Sequence, residues 1–167
     1  MLRNPPGLPR AYTPAEAASI IEMQQKIYFY GWCIDHRDFA ALDDIFLPDS
    51  IVHYDVPDGH RAPWREMRDW LPEGLSIFRV TQHIMSNPLF EIEAESARSR
   101  TYGDLLHVQE LAEGGFSVMR HHSIYHDEWI RVDASWRIAE RRLSNLYVDG
   151  PILRGDAIVP YREAKPT

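Results

Sequence analysis

Apolar residues recur at three- and four-residue spacing from Ile20 through Met23, Ile27 and Tyr30 to Ile34, a stripe about four turns long that predicts an amphipathic helix. Thr13 as N-cap, Pro14 at the first helical position and Glu16 completing a capping box mark its start. Tyr30 then faces the core. A second helix is predicted over roughly Asp38 to Leu47, from Phe39, Leu42, Ile45 and Phe46, ending before Pro48. Ile51 to Val56 reads as a short strand. After Pro57-Asp-Gly59 the helical spacing returns over Pro63 to Leu71, where Pro72 and Gly74 end or kink it.

The remainder reads as β, in four long segments at about 78–93, 97–110, 116–132 and 135–148, with turns at Gly114-Gly115 and Asp133-Ala-Ser135. Strands of this length suit a strongly curved antiparallel sheet better than a sandwich of short strands. Helices first and strands later is the order of an α+β fold with its helices on one face of the sheet. Residues 1–12 are Pro-rich and read as an N-terminal arm, 13–148 as the domain and 149–167 as a tail.

At 167 residues one domain is expected. The net charge of −7 argues against a nucleic-acid or anionic-membrane surface, so the expected partner is a small molecule or another protein. Neither a signal peptide nor a membrane span is read in the sequence. Cys33 is the single cysteine, which excludes a disulfide framework and a cysteine zinc site and fits a cytoplasmic location.

The candidate chemistry begins with Asp35, at the C-terminal end of the first helix, where the macrodipole disfavours an anion. It is either a cap of the second helix or the partner of a base elsewhere. Asp38 is the better cap, because Phe39 and Leu42 follow it directly. His83 lies on the first long strand, and period-two alternation puts Thr81, Met85 and Asn87 on its side. An Asp–His pair makes a general base without metal or cofactor.

His107 lies on the second long strand and three more histidines on the third, where His121 shares a face with Met119, Ser123 and Tyr125 while His122 and His126 face away. Tyr30 and Tyr54 are either core tyrosines or donors to a substrate oxygen. Arg98, Arg100, Arg141 and Arg142 read as solvated strand residues or subunit contacts. No metal-ligand pattern, GxSxG, P-loop or GxGxxG is present, so no metal or cofactor is expected.

The run Tyr30 to Pro48, with Ile34-Asp35-x-x-Asp38-Phe39 and Phe46-Leu-Pro48-Asp49, then Thr81-Gln82-His83 and Trp136-Arg-Ile138, resembles the SnoaL-like branch of the NTF2-like superfamily over about residues 13–148. Within that branch it is similar to scytalone dehydratase, hexachlorocyclohexane dehydrochlorinase and bile-acid 7α-dehydratase. The resemblance implies an NTF2-like cone of curved antiparallel sheet, capped by about three N-terminal helices, with a deep pocket and a homo-oligomeric state, trimer or dimer. It also implies an Asp35–His83 pair as general base, Tyr30 and Tyr54 as donors and His107 as a proton donor to a leaving hydroxyl. Met85, Met119, His121, Ser123, Tyr125 and Asn145 are the expected substrate contacts. Two positions depart from the pattern. Asn145 stands where the bile-acid enzyme has an arginine, and Tyr125 where scytalone dehydratase has a pocket asparagine.

The expected activity is a cofactor-independent lyase or isomerase acting on a small hydrophobic, cyclic or polycyclic substrate. Two alternatives share the fold: a non-catalytic small subunit of an aromatic-ring hydroxylating dioxygenase, for which a filled cone is expected, and a domain that binds a small molecule without turning it over.

Overall fold

The computed structural model describes residues 10–55 and 59–161. Most of the proposed arm therefore lies outside the described residues, as does the end of the tail with Pro166. Helix α1 runs from Pro14 to His36 with the expected cap: the Thr13 hydroxyl accepts the Glu16 N–H, and the Glu16 carboxylate accepts the Thr13 N–H at 2.8 Å. Met23, Ile27, Tyr30 and Ile34 are buried, as the stripe predicts, and Ile20 packs against them from the margin.

The second helix is not formed. Ala41–Asp44 is a single 3₁₀ turn and strand β1 begins at Phe46, running to Tyr54. The described residues therefore hold two α-helices, not about three. Phe39, Leu42 and Ile45 stand three residues apart, the period of a 3₁₀ turn, and that spacing passes for one face of an α-helix. Asp38 stands two residues before the N-cap Ala40 of this turn, and its Oδ1 accepts the Ala41 N–H. Pro48 lies exposed within β1, where the pairing to the neighbouring strand shifts register between Phe46 and Ile51, so its missing N–H breaks no ladder bond.

Strand β2 (His60–Pro63) pairs antiparallel with β1 and leads into α2 (Trp64–Leu75), which continues past Pro72. The four long strands follow as β3 (Val80–Ile92), β4 (Ser96–Leu111), β5 (Phe116–Val132) and β6 (Ser135–Asp149). Asp133 and Ala134 form the β5–β6 turn with both φ values positive, and Gly114 and Gly115 serve in the β4–β5 turn.

The sheet order is β2-β1-β6-β5-β4-β3. It is mixed and not wholly antiparallel, because β1 joins β6 in parallel. Side-chain alternation carries no information on strand direction, so the sequence gives no sign of this pairing. Both helices lie against the sheet, and Trp64, Trp129 and Trp136 are fully buried between the layers. No helix of the described residues is long and apolar enough to cross a membrane.

The tail returns to the body of the fold. Beyond a 3₁₀ turn at Gly155–Ala157, strand β7 (Ile158–Val159) pairs with Leu111 and Glu110 of β4, and the Tyr161 N–H donates to the Ser76 carbonyl at 2.6 Å. Gln109, 1% exposed, clamps the tail: its Nε2 donates to the Leu153 carbonyl and its Oε1 accepts the Leu153 N–H.

Candidate active site

Helix α1 crosses β3 closely enough that a Cβ built on Gly31 would stand 3.0 Å from the His83 carbonyl oxygen and 3.2 Å from the His83 Cβ. Any larger residue would hold the helix away. One turn further on, Asp35 spans the gap with both carboxylate oxygens. Its Oδ1 accepts the His83 Nδ1–H at 2.7 Å and its Oδ2 accepts the His83 backbone N–H at 2.8 Å. The two bonds fix the ring and its strand together, and two N–H donors offset the poor helix-end position of the carboxylate. Because Nδ1 is committed to Asp35, the Nε2 lone pair is the one left for a ligand.

His83 lines a cavity of about 540 Å³ enclosed by the sheet, α1, α2 and the tail. The strand register places His107 opposite Thr81 on one side and Met119 on the other, and His121 opposite Leu105. The imidazoles of His83, His107 and His121 thus form a row across the wall, with centroids 5.7 and 5.3 Å apart. Burial, reinforced by His83 and His121, drives the His107 pKa down to about 3. Burial lowers that of His121 too, with His83 adding to it and Asn145 opposing. Both are uncharged imidazoles at neutral pH. No group of three or more His, Cys, Asp or Glu side chains among the described residues is placed to hold a metal ion.

Tyr30 and Tyr54 also line the cavity, with their hydroxyls 2.8 Å apart. One must donate to the other, so the pair offers a ligand one free O–H backed by the second. Burial raises both pKa values, so the pair stays protonated. Tyr125 joins them with its ring centroid 5.8 Å from that of Tyr30, and the space for its ring exists because Gly103 has no side chain.

Beneath these rings lies a feature the sequence reading missed. Arg141 is fully buried and not solvated, paired with a fully buried Asp127 through Nε to Oδ1 at 2.7 Å and Nη2 to Oδ2 at 2.8 Å. Its guanidinium carbon stands 4.2 Å from the Tyr30 ring centroid and 4.9 Å from that of Tyr125, within cation–π range of both. Burial alone would lower the Arg141 pKa, but the Asp127 carboxylate more than offsets this and raises it. In turn the cation opposes the upward shifts of all three tyrosines. Alternation from Met119 through Tyr125 already pointed Asp127 inward. Arg141 was hidden by a register shift where Glu128 pairs with Glu140 but Trp129 pairs with Ile138, which reverses the phase of β6.

Of the other expected contacts, Met119, His121 and Tyr125 line the cavity, whereas Met85, Ser123 and Asn145 do not. Met85 is buried between β3 and α1 near Gly31. The Ser123 hydroxyl donates to Asn145 Oδ1, and Asn145 Nδ2 donates to the Asp55 carbonyl, so these two tie β5 and β6 to the end of β1 beside His121. The reading from sequence also omitted the mouth, built by Trp70, Leu71 and Leu75 of α2 together with Ile152 and Arg154 of the tail. The i, i+4 spacing of Leu71 and Leu75 was a usable signal, but the tail had no periodicity to read.

The model for the SnoaL-like domain matches residues 15–142. An uncharacterized protein of Mycobacterium tuberculosis (strain H37Rv) is 28% identical over 129 residues, spanning 76% of this chain and 85% of the relative. Among solved structures, a Novosphingobium aromaticivorans protein provisionally assigned as a scytalone dehydratase superposes with a TM-score of 0.70 at 20% identity, covering 90% of this chain and 97% of that one. A hexachlorocyclohexane dehydrochlorinase of Novosphingobium barchaimii superposes with a TM-score of 0.64 at 17% identity, covering 88% and 96%. At these identities the superpositions speak for the fold.

Proposed function

The chain belongs to the SnoaL-like domain family, and from that membership together with the Asp35–His83 pair in its cavity we propose that it is a cofactor-independent lyase or isomerase of the dehydratase kind. The bidentate grip of Asp35 on His83 is the observation that carries this reading, because it fixes tautomer and ring direction as an oriented base requires. His83 Nε2 removes a proton from a carbon beside a carbonyl of a small hydrophobic, cyclic or polycyclic substrate. The electron pair moves onto the carbonyl oxygen, where the free O–H of the Tyr30–Tyr54 pair donates to the developing oxyanion.

In a dehydration the enolate then expels the β-hydroxyl as its C–O bond breaks, and the His83 imidazolium returns its proton to form water. Asp35 stabilises that imidazolium without taking the proton. His107, uncharged at neutral pH, serves as a hydrogen-bond donor to the leaving oxygen and not as a stored acid. Met119, His121 and Tyr125 contact the substrate, while Met85, Ser123 and Asn145 act through the side chains they brace. We read the protein as a cytoplasmic homo-oligomer built on the 13–148 domain.

An open cavity of about 540 Å³ favours this reading over the dioxygenase small subunit, for which a filled cone is expected. The test is a panel of cyclic β-hydroxy ketones, followed by the ultraviolet absorbance of the enone product. Turnover by the natural chain is expected to vanish in Asp35→Asn and in His83→Ala while ligand binding, read by thermal shift, persists. Activity that survives both substitutions refutes the dyad.

A further inference from the structure

The cavity has a charged mouth as well as a polar floor. Its buried walls are His83, the uncharged His107 and His121, and the tyrosines, with the apolar Phe78, Leu105 and Leu143 among them. At the mouth, Arg154 lines the same space from the tail. Among the described residues its guanidinium forms no ion pair or side-chain hydrogen bond, in contrast to the paired Arg37, Arg68 and Arg141. It is not on a loose end. The preceding residue, Leu153, is held in both directions by the buried Gln109, and the following segment is fixed by β7 and by the Ala112 N–H donating to the Ala157 carbonyl. With its backbone clamped, only the Arg154 side chain remains to be ordered when it takes up an anion.

Glu73 of α2 lines the mouth as well and also forms no ion pair among the described residues. The two charges therefore do not cancel as a bonded pair. Of the two, the guanidinium is the better anchor, because it can grip a planar carboxylate with two parallel N–H donors. We propose that the cavity takes substrates that carry a carboxylate, held at the mouth by Arg154 while the apolar body reaches in toward His83; this rests on the cavity being the substrate site. The substrate class is then an apolar cyclic acid, bound with its charged end outward.

Isothermal titration with 2-naphthoate and its uncharged isostere 2-naphthamide tests the proposal. Naphthoate is expected to bind about fivefold more tightly than naphthamide at low salt, the size of one partly solvated ion pair, with the preference shrinking as salt is added. Arg154→Gln is expected to bring naphthoate down to the naphthamide level and leave naphthamide unchanged. Equal affinities in the natural chain, no binding of either probe, or a preference that persists in Arg154→Gln would each overturn it. Tighter binding of 2-naphthylmethylammonium than of naphthamide would assign the mouth to Glu73 and overturn it too. The same titrations on Asp35→Asn separate the two readings: a carboxylate preference that remains there supports the Arg154 anchor whether or not the dyad proves catalytic.

Discussion

Replacing Asp127 by Asn keeps the shape of the side chain and removes its charge, leaving the Arg141 guanidinium buried without its counter-ion. The natural pair makes two parallel bonds, at 2.7 and 2.8 Å, between side chains that have no solvent contact, and Arg141 Nη1 already lacks a hydrogen-bond partner. Breaking a pair so enclosed costs about 3–5 kcal/mol, a fifth or more of the 5–15 kcal/mol typical of a folded domain. With a urea dependence of about 2 kcal/mol per molar, the unfolding midpoint should fall by about 2 M. Urea denaturation followed by tryptophan fluorescence measures this, since Trp129 and Trp136 are buried in the same layer. The double change Asp127→Leu with Arg141→Met should recover most of the loss, because an apolar pair of similar volume needs no counter-charge. Activity should not recover with it, since the tyrosines lose the cation that opposes their upward pKa shifts. A midpoint change under about 0.5 M for Asp127→Asn would refute the reasoning, for it would mean the charge is relieved by water or by movement.

Gly31→Ala should destabilise the fold even though alanine favours a helix by about 1 kcal/mol, because the new Cβ meets the His83 backbone at 3.0 Å; equilibrium unfolding checks the sign, and turnover should fall further than ligand affinity as the Asp35 contact lengthens. Tyr30→Phe and Tyr54→Phe should each reduce kcat in the same enone assay, by about 10²-fold for the hydroxyl that donates to the oxyanion and about tenfold for the one that supports it. The depressed pKa of His107 predicts acid lability. Its folded-state value of about 3 lies below the ordinary 6.5, so the unfolded chain binds this proton first and stability is lost as pH falls from about 6.5 toward 3. The slope approaches about 1.4 kcal/mol per pH unit for one proton and should flatten in His107→Gln, as measured by urea midpoints at several pH values; an unchanged slope would contradict the assignment.

The elements most legible in the sequence were those whose side chains repeat on one face for many residues. The α1 stripe from Met23 to Ile34 and the alternation of Met119, His121, Ser123 and Tyr125 in β5 each fall on a buried face, as do Thr81 and Met85 of β3; Asn87, expected on that same side of β3, is instead exposed with a positive φ where the pairing shifts register. What failed was short or out of phase. Three residues at a spacing of three cannot distinguish a 3₁₀ turn from an α-helix, and β2 is too brief to alternate. The bulge in β6 moved Arg141 from the outer to the inner face, so a residue read as solvated is fully enclosed together with Asp127. Non-periodic segments such as the tail are placed by a few specific bonds, here the Gln109 clamp, which no local pattern announces.

The parallel pairing of β1 with β6 has a consequence for the order in which the chain is built. Among the described residues β6 is, apart from the short β2, the only strand neighbour of β1, and the two meet across some ninety residues, from Phe46 opposite Ile138 to His53 opposite Arg142. Contacts so distant in sequence close slowly. During synthesis Asp35 and His83 are available together as soon as α1 and β3 have emerged, whereas Tyr54 has no completed sheet to rest on until β6 has been added. Both halves of the base are therefore synthesised well before β6, as is Tyr30, whereas Tyr54 is held in a completed sheet only once that last long strand has been added.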